Sequence, residues 1–233
     1  MATFVLVHGA WGGSYGFRHV RRRLQLEGHA VFTPSLTGIG ERAHLSSPQL
    51  TLGTHIQDVV NLVLYEDLDP IVLLGYSYGG AVVTGCLEHI AGRVSQLVYL
   101  DAFVPGNGES VQELAGVPRP TLELGYSPFL PPLKRNYDDP AEADFQNLRR
   151  VPQPVATLLE PVRLAAPLES FPFRRTYIRA TGGVATDIGN SHFEAAAAHA
   201  RDSQDWDYHE LDTNHMILSN RPQELADLLL AMV

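Results

Sequence analysis

Short apolar runs recur along this chain, most of them ending at Gly, Pro or Asp and followed by a segment with helical spacing. Thr3–His8 predicts a strand that enters the glycine-rich turn Gly9-Ala10-Trp11-Gly12-Gly13. Residues 16–27 predict an amphipathic helix closing near Gly28, with Val20, Leu24 and Leu26 on its apolar side and Arg21-Arg22-Arg23 on its solvated face. A strand over Ala30–Thr33 runs into Pro34, a helix spans about 52–65, and the run at 71–76 is a wholly apolar strand. The segment after residue 77 carries Val82, Val83 and Leu87 at helical spacing and ends near Gly92. Val94–Leu100 and Arg174–Ala180 read as strands, 192–201 as an alanine-rich helix, Asp207–Leu211 as a short strand and 222–232 as a closing amphipathic helix. This alternation predicts an α/β protein: a mainly parallel open sheet of about six strands with helices on both faces.

Residues 105–172 break the rhythm. They hold most of the prolines, among them Pro118, Pro120, Pro128, Pro131, Pro132, Pro152, Pro154, Pro161, Pro167 and Pro172. Leu114, Leu122, Leu124, Phe129, Leu130, Leu158 and Leu159 are interleaved with them, and a disordered linker would be poorer in leucine. The expected organisation is a core of residues 1–104 and 173–233 with 105–172 inserted as a cap or lid over the site. The acidic run Asp138-Asp139-Pro140-Ala141-Glu142 reads as the solvated edge of that insertion.

Composition narrows the function classes. The chain has 233 residues, 45% of them hydrophobic, enough for one sizeable core. A net charge of −9 argues against nucleic acid or an anionic membrane surface as partner. No stretch is long enough to span a membrane, and the N-terminus enters a strand without a signal peptide, so the expected location is cytoplasmic. The lone Cys86 excludes an internal disulfide framework and reads as a small buried residue. No metal-binding, dithiol or phosphate-loop motif is present, so neither a metal nor a cofactor is expected. Oligomeric state is open, with a homodimer admissible.

The candidate chemistry begins at Gly75-Tyr76-Ser77-Tyr78-Gly79, where the apolar strand stops and a helix follows. A serine on so sharp a strand-to-helix turn has its Oγ lifted from the sheet, and glycines two positions either side leave room for the bend. A serine hydroxyl needs a base, and the base needs an orienting carboxylate. His215, directly after the last strand and before the closing helix, is the candidate base. His209 lies within a strand and should point away, and His192 and His199 read as surface residues of a helix. Two carboxylates compete for the third role. Asp101 stands at the carboxyl end of a largely apolar strand, where open α/β sheets place their sites; Asp187 lies in the loop after the strand at 174–180. Asp101 is the preferred acid and Asp187 the alternative. Oxyanion donors are expected from the backbone N–H groups of Tyr78 and Ala10. The glycines at 9, 12, 13 and 16 do not form a dinucleotide fingerprint.

On His8-Gly9-Ala10-Trp11, Gly75-Tyr76-Ser77-Tyr78-Gly79-Gly80 and Asn214-His215, the chain resembles the α/β-hydrolase superfamily. Within it, the chain is similar to the small single-domain group of plant methyl esterases, salicylate-binding esterases, hydroxynitrile lyases and bacterial pyrethroid-type carboxylesterases. The resemblance covers nearly the whole chain except the insertion. Two departures stand out. The plant enzymes carry their acid where this chain has Gly183, whereas Leu100-Asp101-Ala102-Phe103-Val104-Pro105 resembles haloalkane dehalogenases, whose acid follows the earlier strand; this favours Asp101. The lyases rely on a lysine where this chain has Met216, which argues against cyanohydrin cleavage by that route. The expected activity is hydrolysis of a small apolar or aromatic carboxylic ester through an acyl-enzyme, with Trp11, Tyr76 and Phe103 lining the substrate pocket. The alternatives are a lyase or cyclase using Ser77 and His215 as a proton relay, and a non-catalytic small-molecule receptor on the same scaffold.

Overall fold

A computed structural model describes residues 1–118, 127–182 and 189–233. Six strands form one parallel sheet: β1 (Thr3–Val7), β2 (Ala30–Phe32), β3 (Ile71–Tyr76), β4 (Val94–Leu100), and, after an excursion that carries a separate two-stranded pair, β7 (Arg174–Ala180) and β8 (Trp206–Leu211). Their spatial order is β2-β1-β3-β4-β7-β8, with every neighbouring pair parallel. The expected α/β architecture is therefore the one found.

Side chains alternate across the sheet, and each face buries its half against helices. Val5, Val7, Leu73, Leu97, Tyr99 and Tyr177 pack on one side with α2 (Leu52–Tyr65), α3 (Gly79–Ile90) and α7 (Asn190–Asp202). Phe4, Leu6, Val72, Leu74, Val98, Leu100 and Ile178 pack on the other with α1 (Arg18–Leu26) and α9 (Pro222–Leu230). Coverage on both faces explains why these strands read as continuous apolar runs. In α1 only Val20 and Leu24 are buried, one turn apart, which leaves the arginine triplet at the surface or partly exposed. Cys86 is buried in α3 with its thiol near the Ile56 carbonyl, and burial pushes the thiol pKa far up.

Between β4 and β7 the chain leaves the sheet for short elements: α4 (Val111–Leu114), β5 (Phe129–Leu130), α5 (Pro140–Asn147), β6 (Gln153–Pro154) and α6 (Ala156–Leu159), with β5 and β6 paired antiparallel. The final elements are α8 (Ile217–Asn220), a short helix the sequence reading did not include, and α9, which opens at Pro222 as the expected closing helix does and ends at Leu230. The acidic run behaves differently from its sequence reading. Asp138 and Asp139 are exposed, but Glu142 is buried, bonded by Arg18, by Gln146 Nε2 at 2.7 Å and by Ser219 Oγ at 2.9 Å. Partners as distant in sequence as Arg18 and Ser219 turn an apparently solvated carboxylate into a clamp between the excursion and the core. Pro120, Leu122 and Leu124 lie outside the described residues.

Candidate active site

Registry places the site. Tyr76 of β3 pairs with Leu100 of β4, Leu100 with Ile178 of β7, and Ala180 with Leu211 of β8, so the residues following these strands gather at one edge of the sheet. Ser77 follows β3 with φ +55° and Asp101 follows β4 with φ +43°, left-handed conformations that non-glycine residues rarely adopt. Hydrogen bonds hold both in place: Ser77 N–H donates to Leu100 O at 3.2 Å, Phe103 N–H to Ser77 O at 3.1 Å, and Asp101 N–H to Ile178 O at 2.7 Å. The elbow tolerates no side chain at its glycines. A Cβ on Gly75 would lie 2.5 Å from Gly79 O, and one on Gly79 would lie 2.5 Å from Val7 O.

Three side chains drawn from distant parts of the chain meet here. His215 Nδ1–H donates to Asp101 Oδ2 at 2.6 Å, which leaves Nε2 as the acceptor for the Ser77 hydroxyl at 3.0 Å. Tyr76 stacks on the imidazole with ring centres 5.0 Å apart, Phe193 stacks with centres 5.4 Å apart, and the Tyr76 hydroxyl donates to the His215 carbonyl at 2.6 Å. The ring is thus fixed in plane and in tautomer. Asp187 lies outside the described residues.

The buried Asp101 carboxylate has further donors. Ala180 N–H donates to its Oδ1 at 3.1 Å, and the Arg179 guanidinium donates to the same oxygen while its other arm reaches Asn190 Oδ1 at 2.6 Å. Burial on its own would raise the Asp101 pKa; the bond and charge of His215, together with Arg179, outweigh it and hold the carboxyl below the ordinary value. Sequence reading missed Arg179. Its signal is a third arginine near the carboxyl end of the strand, set apart from Arg174 and Arg175 by Thr176-Tyr177-Ile178, and it lies beside Asp101. His192 was expected at the surface, but its Nε2 accepts the Val104 N–H at 3.0 Å and its ring stacks on Phe103, so it braces the loop after Asp101.

The turn after β1 is fixed by two buried features. His8 Nδ1–H donates to Gly9 O at 2.8 Å, and its Nε2 accepts the Leu36 N–H at 3.0 Å. Trp11 takes φ +62° and is tied to the excursion three times: its N–H donates to Gln153 Oε1 at 3.1 Å, its indole N–H to Leu130 O at 3.0 Å, and its carbonyl accepts the Val151 N–H at 3.2 Å. Ala10, between them, lines the space over Ser77, as does Tyr78, the residue that opens α3.

That space is a cavity of about 390 Å³ with mostly apolar walls, including Trp11, Phe103, Val111, Phe129, Leu130 and Leu158. Trp11 and Phe103 thus stand where a pocket was expected. Tyr76 instead faces a smaller chamber on the other side of Ser77. The Tyr78 ring is buried, with its hydroxyl donating to His55 Nδ1 at 2.8 Å while His55 Nε2–H donates to Thr37 O at 2.9 Å. Among the described residues, no helix is long and apolar enough to cross a membrane.

Fold, elbow and gathered side chains define a hydrolase class, and comparison with known proteins agrees. Residues 4–228 match the alpha/beta hydrolase family, and the chain belongs to it. It is 36% identical, over an alignment of 247 residues covering all of both chains, to a carbendazim hydrolyzing esterase of a Nocardioides species. Among solved structures it resembles an Arabidopsis methylesterase, with a TM-score of 0.78 at 19% identity over 100% of this chain and 98% of that one. An extracellular alpha/beta-hydrolase from a Paenibacillus species superposes with a TM-score of 0.74 at 23% identity, over 99% and 98% of the two chains. The protein is an enzyme of the carboxylesterase type, and its reaction is ester hydrolysis.

Proposed function

We propose that Ser77, His215 and Asp101 form the catalytic triad of a serine carboxylesterase working through an acyl-enzyme. The observation that carries this reading is the unbroken hydrogen-bond chain from Ser77 Oγ through both nitrogens of His215 to Asp101 Oδ2. His215 Nε2 takes the Ser77 proton as Oγ attacks the ester carbonyl, and Asp101 stabilises the imidazolium that forms. The tetrahedral oxyanion is received by the Ala10 and Tyr78 N–H groups, the latter among the first N–H groups of α3, which have no intrahelical partner. His215 then returns the proton to the departing alcohol. Water, deprotonated by the same nitrogen, releases the acid and restores Ser77.

Residues 105–172 act as a cap in this reading. They supply the apolar walls that exclude water and select a compact apolar or aromatic ester. The similarity to a carbendazim hydrolyzing esterase makes carbendazim a rational member of a substrate panel beside aromatic methyl esters. The test is Ser77→Ala together with labelling by an aryl phosphonate. Turnover should vanish in the variant with its circular dichroism unchanged, and one phosphonate should attach per chain at Ser77. Retained esterase activity in Ser77→Ala overturns the assignment.

A further inference from the structure

Ser77 and His215 face two cavities that share only these two residues with Ala10, Trp11 and Arg135. The second is a chamber of about 50 Å³ beside the Gly9–Gly16 turn, and its chemistry is unlike that of the apolar cavity. Its walls include Tyr15, Tyr137, Arg135 and Arg150. A chamber of that size holds a few water-sized atoms, one water needing about 10–15 Å³ of it, and so admits a carboxylate.

Arg150 forms no ion pair with any described carboxylate and donates to the Tyr137 hydroxyl; its guanidinium carbon lies 5.6 Å from the centre of the Trp11 ring, and its Nε is buried without a protein acceptor. The Tyr15 hydroxyl is buried too, with no protein partner. Burial raises the Tyr15 pKa to about 12, so this hydroxyl is a donor at neutral pH. The nearby Glu142 is already engaged by Arg18, Gln146 and Ser219, and Glu41 accepts from Ser35 Oγ at 2.7 Å. A guanidinium with no carboxylate, beside a buried hydroxyl with no protein partner in the wall of a cavity that opens on a nucleophile, calls for an acceptor from outside the chain.

We propose that this chamber is a binding subsite for a carboxylate, or an oxyanion of similar size, carried by the ester next to its scissile carbonyl, with Arg150 and Tyr15 donating to it. The proposal rests on Ser77 being the nucleophile. The apolar portion of the substrate occupies the large cavity, and the preferred substrates are monoesters that keep a free carboxylate a short chain away from the bond that is cleaved. A guanidinium suits this role because its planar fork presents two parallel donors to a carboxylate.

The test compares benzyl hydrogen malonate with its uncharged isostere benzyl isovalerate, following benzyl alcohol release at fixed ionic strength. The native enzyme should favour the malonate in kcat/KM by about tenfold or more, the factor expected of one charge-assisted hydrogen bond. That ratio should collapse toward one in Arg150→Gln and recover in part in Arg150→Lys. Tyr15→Phe, which removes a single oxygen, should lower it by a smaller factor and serves if Arg150→Gln does not fold. A native ratio at or below one overturns the subsite, as does a ratio untouched by the folded variants. Turnover of the isovalerate alone sinks the subsite and leaves the esterase reading standing; turnover of neither ester sinks the subsite, and Ser77 labelling then reports separately on the nucleophile.

Discussion

Acid should destabilise this protein through a histidine that takes no part in proton transfer. His8 is buried beneath the turn that follows β1 as the neutral tautomer, donating through Nδ1 and accepting through Nε2. A second proton would have to sit on Nε2, facing the Leu36 N–H. Burial therefore lowers the His8 pKa from 6.5 to about 4, with the Gly9 bond opposing it only in part. The unfolded chain takes up this proton first as pH falls. The contribution of His8 to stability is thus complete above pH 6.5 and is lost between 6.5 and about 4. The loss is about 3 kcal/mol in total, with a limiting slope of about 1.4 kcal/mol per pH unit. His55, buried and lowered in the same direction, adds to the effect. The assay is urea unfolding by circular dichroism from pH 7.5 to 4 on the native chain and on His8→Gln, whose amide keeps a donor and an acceptor but does not titrate. His8→Gln should be the less stable protein at pH 7.5, with a gap that narrows or reverses by pH 4. Parallel stability curves across that range would refute the reasoning.

Asp101→Asn should keep the fold and lower kcat by about 10⁴-fold, since an amide selects the wrong imidazole tautomer, whereas Asp187→Asn should stay within a few-fold; steady-state kinetics on one aryl ester separates the two carboxylates. Arg179→Gln strands a buried carboxylate and should cost about 3–5 kcal/mol, read by denaturant unfolding at pH 7. In that variant the Asp101 pKa should also rise toward its ordinary value, so the stability this carboxylate contributes shrinks: the loss on acidification starts near the ordinary pKa in both proteins but is smaller, and complete at a higher pH, in the variant.

What could be read from the sequence was local. The strand–elbow–helix pattern at 71–90 needs only adjacent residues, and the place of His215 follows from its position after the last strand. Asp101 was legible because a carboxylate closing an apolar strand cannot be buried alone. What resisted reading depends on partners remote in the chain. Nothing near Glu142 announces Arg18, and nothing near His192 announces the Val104 amide. Trp11 reads as a pocket aromatic and lines the large cavity, but its left-handed backbone is held by Gln153 and Val151, segments whose prolines conceal any periodicity. Arg179 was hidden for a further reason: an arginine in a strand usually points to solvent, and only the pairing of β4 with β7 turns it toward Asp101.

The same geometry closes position 182, the residue before Gly183, to a carboxylate. The turn after β7 runs against the segment that carries His215: Gly182 N–H donates to Thr213 O at 2.8 Å, and a Cβ on Gly182 would lie 2.9 Å from the Thr213 carbonyl carbon. A carboxylate-bearing residue at position 182 would push away the loop it was meant to orient. Supplying the carboxylate from β4 avoids that collision but places it deeper, between the sheet and the imidazole, where it is almost wholly removed from water. A charge so placed needs a counter-charge and extra donors, and Arg179 with the Ala180 N–H supply both from the neighbouring strand. The left-handed backbone at Asp101 and the buried arginine are therefore two parts of one solution. An acidic residue introduced at 182 should fail to rescue Asp101→Asn unless the 211–215 loop is rebuilt with it.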